Sequence, residues 1–230
     1  MNETYAVSVV ELAPMTVAAS ATVVANLAWQ HMRSAVLHRD YARREEMWHA
    51  GEEFSSFFEV IRCHVISSVL SAAAAIETLA NELFLSPHAG LRCQMPNFED
   101  DFWGTATAKG IESLYPLKKY RRALSLLGLP AMKNAQFDHV EHLISLRNFL
   151  IHYKPNWDPD RPQKASLVAG LNGRYSTSPF LNGNADFVSM QSMSASCAGW
   201  AVQSGATFIH KFGAASKLQP EVVEQIWRLA

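Results

Sequence analysis

The strongest constraint on this chain is a proline-free run from Glu52 to Leu85. Within it Ile61, Val65, Val69, Ala72, Ile76, Leu79 and Leu83 recur every three or four residues. That is the period of one apolar helix face. At 1.5 Å per residue the helix would span roughly 50 Å. A rod of that length cannot bury its own face and needs other long helices beside it. A neighbouring face is small, with Ser67, Ser71, Ala74 and Thr78, and would let another helix come close. A second proline-free run follows Pro14 and reaches about His49, with Gly51 as a weak break between the two.

The rest of the chain reads the same way. Residues 86–110 carry Pro87, Gly90, Pro96, Gly104 and Gly110, which predicts a loop region. Pro116 suits the first turn of a helix closed by Gly128 and Pro130. A fourth helix is predicted from Asn134 or Gln136 to just before Pro155. Residues 156–190 show no period and are expected to be irregular. A helix from about Gln191 to Phe212 and a short one from Pro220 close the chain. Strand alternation is convincing nowhere. The expectation is one all-α domain over residues 1–230, a helical bundle with long antiparallel helices. Its core would lie at about 52–155, with extra N- and C-terminal helices around it.

Composition narrows the function. Lys plus Arg number 20 and Asp plus Glu 21, a formal net charge of −1, which argues against a globally basic nucleic-acid binder. Charged residues are only 18% against 49% hydrophobic, which excludes whole-chain disorder and suggests a face covered by a partner. Cys63, Cys93 and Cys197 are odd in number and widely spaced, so they read as buried thiols in a reducing compartment. The uncharged stretch Leu12 to Gln30 lacks a basic leader and is too polar to span a bilayer. A soluble, cytoplasmic protein without membrane contact is expected.

The fourth helix holds the residues that point to chemistry. Val140, Ile144, Arg147 and Ile151 form one row, so Arg147 interrupts an apolar stripe. A guanidinium placed there needs a carboxylate, a phosphate or carbonyls. Glu77, in the long helix, is expected to pair with Arg147 or with a neighbouring helix; with Asn81 it could instead complete a cleft. Glu141, Ser145, Asn148 and His152 form a second, polar row, in which the Asn148 amide is expected to orient the His152 ring. Arg147 and His152 lie about 140° apart on an ideal wheel. The spacing by itself is common, since Arg33/His38 and Arg44/His49 repeat it in a charged helix that reads as a solvated face. The context of Arg147-Asn148-Phe149-Leu150-Ile151-His152 sets it apart.

That hexapeptide resembles the Arg-polar-x3-His motif of the HEPN superfamily of helical-bundle domains. The small-residue helix from Ser71 to Phe84, with its internal Glu77, is similar to the helix preceding the motif in many members. Leu117 to Gly128 resembles a connecting helix of one bacterial branch. Together they cover about residues 52–155. The resemblance implies a metal-independent endoribonuclease that works as a homodimer, a toxin or phage-defence effector with an antitoxin or other partner protein. Arg147, Asn148 and His152 would be its catalytic residues, and no cofactor would be needed. Tyr153 directly follows His152, whereas members regulated by nucleotidylation carry their tyrosine one position later, where Lys154 stands here. The alternative is a non-catalytic scaffold that binds a partner protein or a nucleotide.

Other features carry milder readings. Lys118, Lys119, Arg121, Arg122 and Lys154 are candidate RNA-phosphate contacts, with a solvated helix face as the default for the four near Tyr120. His139 and His142 lack the spacing of a zinc motif and read as surface residues. Trp157 and Trp200 read as core or interface. No P-loop, Gly-x-Gly-x-x-Gly or Gly-x-Ser-x-Gly is present.

Overall fold

Two long helices set the frame of the structure, a computed structural model that describes residues 26–85, 91–153, 162–181 and 185–230. Helix α1 covers Leu27–Trp48 and α2 covers Phe57–Leu85. Asn26 caps α1, its side-chain oxygen accepting from the Trp29 N–H at 3.0 Å. A second acceptor comes from α2, where the Glu82 carboxylate takes the Leu27 and Ala28 N–H groups at 2.9 and 3.3 Å. A carboxylate at a helix start is favoured by the exposed amide dipoles. Burial raises the Glu82 pKa, and those two hydrogen bonds oppose the rise.

The pair runs antiparallel, with Glu82 at the start of α1 and His64 opposite His38. Ala28, Ala35 and Ala42 recur every seven residues along α1 and are buried. These small side chains bring the two backbones close. Across the seam the Ser68 hydroxyl donates to the Ala35 carbonyl at 2.9 Å, and the Ser71 hydroxyl to Ser34 at 3.2 Å. Part of the small face of α2 is therefore occupied by α1. By length and composition α2 could cross a membrane, and half of that apolar window is buried inside the bundle.

The remaining helices are α3 (Phe98–Trp103), α4 (Pro116–Leu126), α5 (Asp138–Ile151), α6 (Pro162–Leu171), α7 (Ala195–Ser216) and α8 (Pro220–Leu229). No β-strand occurs among the described residues. The all-α class follows from the periodicity, but three details differ from the sequence expectation.

First, the segment expected to be irregular holds α6 and a π-helical turn at Phe187–Gln191. α6 is short and contains Gly170, which weakens a helical signal. A Cβ at Gly170 would collide with the His142 ring, so glycine is what lets α6 lie against α5. Second, α7 is no peripheral addition. It lies beside α1 and α2 at the centre of the bundle, with Cys197, Ala201, Val202, Ala206, Phe208, Ile209 and Phe212 buried. At Gly205 an added Cβ would sit 3.0 Å from the Met32 methyl and 3.6 Å from the Ala72 carbonyl. Two caps hold its start. Ser194 accepts from the Cys197 N–H at 3.0 Å, and the Glu46 carboxylate of α1 accepts from the Ala195 N–H at 2.6 Å. Third, Cys63 and Cys93 are exposed rather than buried. Only Cys197 is buried, and burial pushes its thiol up to about 12.

The His38–His64 contact makes stability depend on pH. The two Nδ1 atoms lie 3.0 Å apart, so one ring donates and the other accepts. Protonating both removes the acceptor. Burial, then the neighbouring His64, lowers the His38 pKa below its unfolded value near 6.5. As pH falls below about 6.5 the unfolded chain binds more protons than the folded one, and stability is lost through that window. Thermal melts at decreasing pH are expected to show a falling midpoint, and His38→Gln should shrink the fall. An undiminished fall in that variant would assign the effect elsewhere.

Candidate functional site

Helix α5 is seated by Val140, Leu143, Ile144 and Leu146, all buried, with Phe137 buried just ahead of it. This anchoring leaves Arg147 half-buried on the side facing α2. There its Nη2 donates to Glu77 Oε2 at 2.9 Å, and its Nη1 to Asn148 Oδ1 at 2.9 Å. Of the partners open to an arginine on an apolar row, the one it takes from another helix is the carboxylate of Glu77, 70 residues earlier in the chain.

Other groups gather round this pair. Tyr115, immediately before α4, is one that sequence reasoning missed. Burial raises its pKa first, Glu141 and Glu77 raise it further and Arg147 opposes them, which places the phenol among those charges. Only its position beside the N1 proline of α4 marks it in the sequence, and that carries no chemical signal. Lys119 is the second surprise. It is 4% exposed, and its ammonium donates to Asn81 Oδ1 at 2.6 Å. Burial lowers its pKa, while Glu112 and Glu77 oppose that. Lys119 therefore does not share the exposed basic face of its neighbours, because α4 turns this position toward α2. Asn81, for its part, serves as that lysine's acceptor.

Lys118, Arg121 and Arg122 are exposed. Arg121 is held over the Phe137 ring at 4.6 Å and lies 3.8 Å from Glu141. Lys154 and Trp157 lie outside the described residues.

His152 ends α5. Its N–H donates to the Asn148 carbonyl at 3.0 Å, and its side chain is exposed. The Asn148 amide does not orient the His152 ring, contrary to the sequence expectation. Its oxygen is engaged by the Arg147 guanidinium, a charged and therefore stronger donor than a neutral imidazole. Ile151 and Tyr153 flank His152 and are each 50% exposed, with Tyr153 edge-on to Phe149 at 5.6 Å. The helix end thus combines a fixed cation, a solvent-facing imidazole and an apolar rim. Such a set can bind a phosphate and move a proton, provided that both groups reach one substrate.

The histidines at the other end of α5 are engaged separately. Trp200, which is buried, donates its indole N–H to His139 Nδ1 at 3.0 Å. His142 Nδ1 lies 2.8 Å from the Asp138 carbonyl. Among the described residues no group of three or more His, Cys, Asp or Glu side chains is arranged to hold a metal ion.

No protein-family model matches the chain, and neither a curated protein nor a solved structure is significantly similar to it.

Proposed function

We propose that the chain is a HEPN-type, metal-independent endoribonuclease acting as a homodimer in the cytoplasm. The observation that carries this reading is the arrangement at the end of α5. Arg147 is held by Glu77 and Asn148, and His152 is exposed just beyond the last residue of the helix. The half-exposed Ile151 and Tyr153 supply an apolar rim on which a second copy can seat. Because Arg147 and His152 lie about 140° apart on an ideal helical wheel, two copies of α5 would complete one cleft.

In that cleft His152 takes the proton from a ribose 2′-hydroxyl. The 2′-oxygen then attacks the adjacent phosphorus and the bond to the 5′-oxygen breaks, the leaving oxygen taking up a proton. The products are a 2′,3′-cyclic phosphate and a 5′-hydroxyl end. The Arg147 guanidinium offsets the charge that builds on the equatorial phosphate oxygens, and Glu77 keeps it in place. Lys118, Arg121 and Arg122 would contact flanking phosphates. In a cell this activity fits a toxin or defence effector restrained by an antitoxin or other partner protein.

The test is incubation of the purified protein with RNA in EDTA. Cleavage that leaves cyclic phosphate ends, with specific activity rising as protein concentration drives dimerisation, is the expected result. A folded protein that cleaves no RNA over a range of sequences and pH sinks the reading.

A second reading has its own support. Glu77 and Asn148 already occupy donors of the Arg147 guanidinium, which is also how a purely structural tie between α2 and α5 would look. A non-catalytic scaffold of this kind predicts that Arg147→Ala alters dimerisation or partner binding and that the wild type shows no nuclease activity.

A further inference from the structure

A second polar site lies at the opposite end of α5, where its first turn meets α7. A cavity of about 440 Å³ opens there. It falls in the range of ~300–1,000 Å³ typical of small-molecule sites, and a bare inorganic anion would leave most of it empty. Gly199, Gln203, Thr207 and Lys211 line it from α7. They are spaced four residues apart, so they form one row along the helix. His139 of α5 and Arg174, just beyond α6, close the other side. No carboxylate lines the cavity among the described residues.

Each donor is held in place or free to bind. Trp200 can only donate, so His139 Nδ1 must accept and the neutral ring carries its proton on Nε2. Burial, and then Arg174, lowers the His139 pKa, which keeps the ring neutral and the Trp200 bond intact at pH 7. Arg174 gives its Nε to the Gly170 carbonyl and its Nη2 to Asp138 at 2.7 Å. These bonds fix the plane of the guanidinium and leave Nη1 with no acceptor among the described residues. The Lys211 ammonium is exposed and likewise has none. Gln203 donates to the Thr207 hydroxyl oxygen at 2.9 Å, which leaves the hydroxyl hydrogen free to donate onward. Val140, Trp200 and Phe208 supply apolar wall, with the serines Ser196 and Ser204 also lining the cavity. At Gly199 a Cβ would meet nothing within 4 Å, so glycine keeps this stretch of the cavity open.

We propose that this cavity binds a small organic phosphate monoester, its phosphate on Lys211, Arg174 and the His139 Nε2–H and its apolar body against Gly199, Trp200 and Phe208. Asp138 already meets part of the Arg174 charge, so Lys211 supplies the unpaired cation and the Arg174 Nη1 and His139 Nε2–H add two donors beside it. Three donor groups match the three terminal oxygens of a phosphate better than the two of a carboxylate, and a phosphate monoester with a second pKa near 6 is mostly dianionic at pH 7. The site is independent of RNA cleavage, because it uses neither Arg147 nor His152.

The test is calorimetric titration of the full chain with 1-naphthyl phosphate as probe, at about 0.15 M salt and pH 7. Saturable 1:1 binding is expected, with inorganic phosphate, 1-naphthol and 1-naphthoate each at least tenfold weaker. Lys211→Glu, at an exposed position, should weaken binding by tenfold or more. Gly199→Leu, which enters open space, should abolish it with the helical circular-dichroism signal unchanged. No saturable binding of 1-naphthyl phosphate to the wild type overturns the proposal. So does affinity unchanged in both variants, or 1-naphthoate binding as tightly as the phosphate.

Discussion

On the proposed endoribonuclease reading, His152→Ala is expected to slow RNA cleavage by roughly 10²–10⁴-fold, the usual contribution of a positioned general acid or base. The same change should leave the thermal midpoint almost untouched. His152 is exposed at the end of α5, and its ring makes no hydrogen bond among the described residues. Exposed substitutions of this kind shift stability by no more than about 0.5 kcal/mol. Activity and stability therefore separate cleanly at this position. At Arg147 they do not, because Arg147→Ala also strands the Glu77 carboxylate and should lower both. Arg147→Lys keeps the charge but loses the planar fork that reaches Glu77 and Asn148 together, so partial activity is expected. Cleavage rates on one RNA substrate, measured beside melting curves for all three variants, check this set. A His152→Ala protein as active as the wild type removes the imidazole from the mechanism.

Tyr120→Ala is expected to cost about 3–5 kcal/mol of folding stability, the range for deleting a fully buried aromatic ring. Tyr120 is 0% exposed and stands edge-on to Phe208 and Phe212, with centroids 4.9 and 4.6 Å away. Its hydroxyl donates to the Ile76 carbonyl at 2.7 Å. One side chain thus ties α4 to both α7 and α2. Alanine removes the ring and leaves a cavity between three helices. Phenylalanine keeps the packing and loses only the hydrogen bond, so Tyr120→Phe should cost about 1 kcal/mol. In a chain of this size each kcal/mol moves the midpoint by roughly 2–4 °C. Thermal and urea unfolding of the two variants should therefore rank wild type, Phe and Ala in that order, with the larger step at Ala. Equal losses in the two variants would show that the hydroxyl, and not the ring, holds the junction.

Much of the helical inventory was legible from local pattern. The apolar period of α2, Pro116 at the start of α4 and Pro220 at the start of α8 are all signals between residues a few positions apart. Helix α6 escaped because ten residues containing a glycine make little periodic signal; it is seated by Leu167 and Leu171 in the core, with Gly170 leaving room for His142 of α5. The central place of α7 escaped for the opposite reason. A helix buried on most sides has little contrast between faces, so its sequence does not say which neighbours surround it.

At the candidate site the same division holds. The sequence alone determined that Arg147, set in an apolar row, must find a carboxylate, a phosphate or carbonyls, with Glu77 as one candidate, and that His152 would fall on a different side of the helix. It also settled the all-α class, since hydrophobic spacing is written in consecutive residues. Only the tertiary structure decided that Glu77 is the acid, that Asn148 turns to Arg147 instead of His152, and that Lys119 points inward to Asn81. It alone brought Tyr115 among those charges, and set His139 and Arg174 opposite the row from Gly199 to Lys211. Each of these is a choice of partner between helices. Such choices depend on crossing positions and on which competing donor is stronger, and neither quantity is written in the residues next door.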